Sequence, residues 1–218
     1  MQKALGLASR QFGLVTRSQW LAAGLTARQL DYRLSTGALR LVHRGVYAIP
    51  GSAPSFERDV MAACLAVGGV APHRCAAYLW KFRRFERPAV EVLVTKGHAS
   101  RLSGVVVRRT GRLDAVERTY LGAIPITSRA RTLLDVAAVA PERAEGALDG
   151  TLHREQARLP ALLGLLARTG PRHPGRPFFD RLVDARVKGR QPTESELEDD
   201  LNALIRRYGL PEPVPSSR

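Results

Sequence analysis

Apolar residues recur along the first fifty positions at spacings that change twice, and each change marks an element. Leu5, Ala8 and Phe12 fall on one helical face, and Gly13 is predicted to stop that helix. In Val15-Thr16-Arg17-Ser18-Gln19-Trp20, Thr16 is placed to cap a helix while Gln19 reaches back to the cap's own amide. Val15 and Trp20 take the two positions of a hydrophobic staple. Leu25-Thr26-Ala27-Arg28-Gln29-Leu30 repeats the same arrangement. Between the two starts, Gly24 supplies the positive φ that a sharp turn between short helices needs, and Gly37 is predicted to end the second helix likewise. Leu39-Arg40-Leu41-Val42 and Val46-Tyr47-Ala48-Ile49 then read as short strands joined at His43-Arg44-Gly45. Helix, short helix, tight turn, helix and β-hairpin predict a winged helix-turn-helix over residues 1–50.

Past that point the pattern changes character. Gly51-Ser52-Ala53-Pro54 predicts a boundary; Phe56, Val60, Met61, Cys64 and Leu65 then give one apolar helical face, ended by Gly68-Gly69. Pro72 is expected in the first turn of a helix whose small residues, Cys75-Ala76-Ala77, allow close packing against a sheet. The β-branched runs 89–95 and 104–109 predict strands, and after Ile124-Pro125-Ile126 a cap at Thr127 or Ser128 opens a helix through Leu133, Leu134 and Val139. Residues 51–170 are therefore expected to form a mixed α/β unit with trailing helices. Residues 171–192 divide into a Pro/Gly/Arg linker, Pro171 to Pro177, and a helix from Phe178 to about Lys188. Over 193–218, Thr193-Glu194-Ser195-Glu196 caps a helix to about Tyr208, with Leu197, Leu201, Leu204 and Ile205 on its apolar face. The fold class is α+β: an N-terminal winged helix-turn-helix, a mixed α/β middle domain and a helical C-terminal tail.

The formal net charge of +14 favours a polyanionic partner. Lysine occurs only at 3, 81, 96 and 188, so arginine carries the excess, as a GC-rich genome would also produce. Distribution says more than the total: residues 1–50 hold seven bases against one acid, whereas 191–218 hold three against six. The second capped helix is the expected recognition helix, and double-stranded DNA the expected partner. It begins at Thr26; Arg28, Tyr32 and Ser35 form one outward stripe, and Gln29, Arg33 and Thr36 the next. Arginine can pair two donors with guanine and glutamine can do the same for adenine. Arg17, Arg40 and Arg44 suit phosphates, with Arg44 at the wing tip, and His43 reads as a turn residue or a phosphate contact.

Other chemistry finds little footing. Cys64 and Cys75 make no disulfide framework or zinc pattern and are expected as buried thiols. No metal or cofactor is expected. Glu91 and Lys96 flank a strand at a spacing unlike a nuclease Glu-x-Lys pair, and Asp135 reads as a structural hydrogen-bonder. There is no glycine-rich phosphate loop, and the chain is not expected to be an enzyme. Lys81, Arg83, Arg84 and Arg87 fit either a nucleic-acid backbone or a solvated loop with Phe82 and Phe85 tucked inward. The longest apolar run, Leu159 to Ala167, falls short of the ~20 residues a membrane helix needs. Met1-Gln2-Lys3 opens an amphipathic stretch instead of a signal-peptide core, so no membrane partner and a cytoplasmic location are expected.

Gly13-Leu14-Val15-Thr16, Ala23-Gly24-Leu25-Thr26, Gly37-Ala38-Leu39 and His43-Arg44-Gly45-Val46-Tyr47-Ala48 together resemble the winged-helix signature of the AbiEi antitoxins of type IV toxin–antitoxin systems. Ile124-Pro125-Ile126-Thr127-Ser128-Arg129-Ala130-Arg131-Thr132-Leu133-Leu134-Asp135 resembles a motif that follows that domain in many relatives, which often have Ser-His where this chain has Pro72-His73. The resemblance implies a repressor of its own operon, and a nucleotidyltransferase-like toxin counteracted indirectly. Residues 193–213 resemble the opening of a very-short-patch-repair-like endonuclease domain, a PD-(D/E)XK relative, in which Glu198 would match the helix glutamate. The resemblance implies a truncated stub. The alternative reading of the chain is therefore the remnant of such an endonuclease fusion, inactive as it stands. Oligomeric state is not written in the sequence.

Overall fold

The computed structural model describes residues 2–95, 101–154 and 159–188. The C-terminal helix expected from residue 193, with Glu198, and Lys96 beside its strand lie outside the described residues. The chain opens with α1 (Gln2–Arg10), β1 (Leu14–Thr16), α2 (Arg17–Ala22), α3 (Ala27–Ser35), β2 (Arg40–His43) and β3 (Val46–Ala48). The strands form an antiparallel sheet in the order β1-β3-β2, completing a winged helix-turn-helix. Two features depart from the sequence expectation. The first helix ends at Arg10 and not at Gly13, and the chain then turns through Phe12 and Gly13 at φ 56° and 77°. Strand β1 had no signal of its own, because three residues are too few for an alternating pattern to show.

That small sheet feeds two cores, because successive strand residues point to opposite faces. Val15 of β1 and Tyr47 of β3 join Ala4, Ala8, Trp20, Leu30 and Leu39 in the core of the winged helix. Their neighbours Leu14, Val46 and Ala48 join the large core of the middle region, where α4 lies against all three strands.

The middle region contains α4 (Phe56–Val67), α5 (His73–Leu79), β4 (Val90–Val94), β5 (Val105–Arg109), a 3-10 turn (Ala115–Glu117), β6 (Arg118–Leu121), β7 (Ile124–Thr127) and α6 (Arg129–Val139). Helices α7 (Pro141–His153), α8 (Leu159–Arg168) and α9 (Arg176–Lys188) follow. Ser55 caps α4, and Gly68 ends it in the left-handed conformation. Pro72 stands just before α5 and not in its first turn as expected, while Pro177 lies inside α9 and not in a linker. Strands β4 and β5 pair in parallel. Strands β6 and β7 form an antiparallel hairpin, which the sequence pattern does not separate from the helix after it. Single bridges, Val70 to Leu93 and Ala71 to Ile126, tie the two pairs together.

Helix α6 is the hub: α5, α7, α8 and α9 all pack on it, and it is buried continuously from Arg131 to Ala137. The loop into α9 presses on α6 so closely at Gly175 that any side chain there would strike the Leu134 carbonyl. The 124–135 motif proves to be a buried polar framework. Ser128 caps α6, the Thr127 and Thr132 hydroxyls share a 2.8 Å hydrogen bond, and Trp80 Nε1 donates to the Thr127 carbonyl at 2.9 Å. Arg131, 5% exposed, donates to Asp135 at 2.8 Å and to Glu117 at 2.9 Å. Asp135 also meets His173 at 3.2 Å, so it is the structural group the sequence suggested. Cys64 and Cys75 are buried free thiols, and burial pushes the Cys75 thiol up to about 12. No helix among the described residues is long and apolar enough to cross a membrane.

Candidate nucleic-acid interface

Local chemistry sets the helix-turn-helix before any ligand is considered. Both expected capping boxes are present. Thr16 Oγ1 accepts from the Gln19 amide at 3.1 Å while Gln19 Oε1 accepts from the Thr16 amide at 2.9 Å. Thr26 Oγ1 accepts from the Gln29 amide at 3.1 Å, and Gln29 Oε1 accepts from the Thr26 amide at 2.8 Å. The Trp20 indole, 2% exposed, donates to the Thr26 carbonyl at 3.1 Å, so the core of α2 fixes where α3 begins. Gly24 sits at φ 82° in the turn. Leu30 anchors α3 in the core, with Leu34 and Leu25 packed beside it.

The opposite side of α3 is open. Arg28 and Gln29 are exposed and Tyr32 is 68% exposed. Arg33 is half-buried with its guanidinium 5.8 Å over the Trp20 ring, so it lies along the flank of the helix. The Gln29 carbonyl oxygen is held by the cap, which leaves its amide nitrogen as the group that can turn outward. The Thr26 hydroxyl serves the same cap, and the Ser35 and Thr36 hydroxyls bond back to the Tyr32 carbonyl. Of the two stripes, then, Arg28 and Tyr32 carry the freest functional groups.

The wing and the start of α2 are tied together by the Arg17 amide, which donates to the Gly45 carbonyl at 2.9 Å. Arg44 is exposed in the β2–β3 turn and Arg17 is exposed beside it, whereas Arg40 is exposed at the far end of β2, opposite Ala48. Among the described residues none of Arg17, Arg28, Arg33, Arg40 and Arg44 is paired with a carboxylate. His43 differs from these. It is half-buried, and burial lowers its pKa more than nearby Asp59 raises it, which favours the uncharged ring. Lys3 and Arg10 of α1 are also exposed; nothing in their spacing distinguished them in the sequence. Arg87 stacks over Phe56 at 5.3 Å and Arg143 over Phe85 at 5.7 Å, with Phe82 buried, the arrangement of a loop whose aromatics turn inward.

Among the described residues no cluster of three or more His, Cys, Asp and Glu stands close enough to hold a metal ion. The nearest approach to a catalytic constellation is Glu91, which takes His73 Nδ1 at 3.3 Å and two nitrogens of Arg108 at 3.2 Å each. Its carboxylate is saturated by those partners and is a pin between α5, β4 and β5.

No curated protein matches the chain. A crystal structure of the RV2827C protein from Mycobacterium tuberculosis aligns with a TM-score of 0.46 at 16% identity, over 84% of this chain and 76% of that one. Residues 2–50, which hold the whole winged helix, match the family described as transcriptional regulator, AbiEi antitoxin.

Proposed function

We propose that this chain is a DNA-binding repressor of its own operon, of AbiEi-antitoxin type, acting in the cytoplasm without catalysis of its own. Helix α3 enters the major groove and presents Arg28 and Tyr32 to base edges, with the Gln29 amide and Arg33 at the flank. Arg17, Arg40 and Arg44 hold phosphates on either side of the groove, and His43 stands beside Arg44 at the wing turn. A nucleotidyltransferase-like toxin is the indirect partner that the antitoxin reading brings with it. The observation that carries the proposal is the open face of α3: a helix fixed at its start by two capping bonds and an indole, bearing unpaired basic and aromatic side chains on its outer side.

The test is retardation of the chain's own upstream DNA. Arg28→Ala with Tyr32→Ala should weaken specific binding, by about 1–3 kcal/mol for each base-edge interaction removed, while circular dichroism stays unchanged. Affinity of the native chain should also fall steeply as salt rises, because phosphate contacts release counterions. Unaltered retardation by the folded double variant would rule out α3 as the reading element.

A further inference from the structure

Helix α6 carries two arginines near its start whose situations are opposite. Arg131 is neutralised by Glu117 and Asp135. Arg129 has no carboxylate at all among the described residues: its guanidinium lies 4.0 Å over the Trp80 ring, and its Nε is fully enclosed with no hydrogen-bond partner there. Burial lowers its pKa, and no neighbouring charge works the other way. A half-buried cation whose Nε–H meets no acceptor is costly unless an anion reaches the part of the guanidinium that the cleft leaves open.

Room for that anion is present. Arg129 lines a cleft of about 650 Å³ between β6, the start of α6 and α8, within the ordinary range of small-molecule sites. Arg118 from β6 and Arg168 from the end of α8 line the same cleft, with the Ser128 hydroxyl beside them. Among the described residues no acidic side chain lines it. Among the described residues, the acids close in sequence to Arg118 and Arg129 are already engaged, Asp114 by Arg112 and Glu117 and Asp135 by Arg131. At the rim, Tyr120 is 69% exposed, a flat aromatic surface open to solvent.

We propose that this cleft binds a nucleotide, with Arg118, Arg129 and Arg168 on its phosphates and Tyr120 against its base. Three arginines converging without a carboxylate match a polyphosphate, since guanidinium groups pair two donors with phosphate oxygens. The cleft is larger than a single inorganic phosphate fills, and the aromatic rim suits a base, which stacks on any π-face. The site is separate from α3, so it stands or falls independently of DNA reading.

Isothermal titration calorimetry on the full chain at physiological salt decides it, with ATP, inorganic triphosphate and adenosine as probes. ATP should bind one to one and more tightly than triphosphate, and adenosine should give no signal. Arg118→Gln with Arg168→Gln, both exposed side chains, should weaken ATP by about tenfold or more. Arg83→Gln with Arg109→Gln removes the same charge outside the cleft and should change little. Tyr120→Ala should erase the advantage of ATP over triphosphate. Absence of ATP binding, or equal losses in the two arginine pairs, would overturn the site; equal affinity for ATP and triphosphate would overturn its assignment to a nucleotide.

Discussion

At the scale of single residues, the polar groups that matter most are buried ones paired with one another. Arg131 holds two enclosed carboxylates, so Arg131→Met would leave Glu117 and Asp135 buried without the counter-charge they share. Loss of one partner from a buried ionic group costs about 3–5 kcal/mol, and urea unfolding should register that loss. Glu91 behaves differently because its effect depends on pH. Burial tends to raise its pKa, but hydrogen bonds from His73 and Arg108 and their charges outweigh that and bring it to about 2. A carboxylate depressed in the folded state stabilises the fold at pH values above its unfolded pKa. That contribution, up to about 3 kcal/mol, is lost as pH falls from the usual carboxylate range towards 2. Glu91→Gln should therefore flatten the acid limb of stability between about pH 4.5 and 2, read by thermal melts across pH. His73 and Arg108 approach Glu91 from 18 and 17 positions away, so neither pairing could be seen in the linear sequence.

At the scale of elements, the capping boxes of α2 and α3 were fully legible, since each is a pattern of four consecutive residues. Thr26→Ala removes the hydroxyl acceptor at the start of α3 and should cost about 1 kcal/mol of stability, with Thr26→Ser recovering most of it. Both can be measured by thermal denaturation. The same pattern already commits the Gln29 oxygen to that cap, at odds with the base-reading role also expected of it; what it could not reveal is that Arg33 leans on Trp20. Helical phase assigns a residue to a stripe; the rotamer and its nearest partner decide what it can still touch. The β6–β7 hairpin was hidden for a related reason. Pro125 interrupts the alternation of β7, and Arg118-Thr119-Tyr120 is exposed and reads as loop until Thr127 is seen opposite Arg118.

At the scale of the whole molecule, the winged helix and the middle region share one sheet. A cut in the chain at residue 50 would separate Leu14, Val46 and Ala48 from α4, against which they are buried, and leave them outside the core of the winged helix itself. Residues 1–50 expressed alone should therefore melt without a cooperative transition or at a much lower temperature than the full chain, because that apolar face would meet water. A sharp melt for the fragment, at the full chain's temperature, would disprove the coupling. The sequence by itself determined the order of elements in the winged helix, its capped starts and its basic outer stripe, because these depend on residues within a turn or two of one another. Only the tertiary structure decided which face of the sheet meets which core, which arginines are neutralised and which are left open. It alone brought Arg118, Arg129 and Arg168 to one cleft. Those outcomes depend on contacts between residues tens of positions apart, which chain folding brings about and local spacing does not encode.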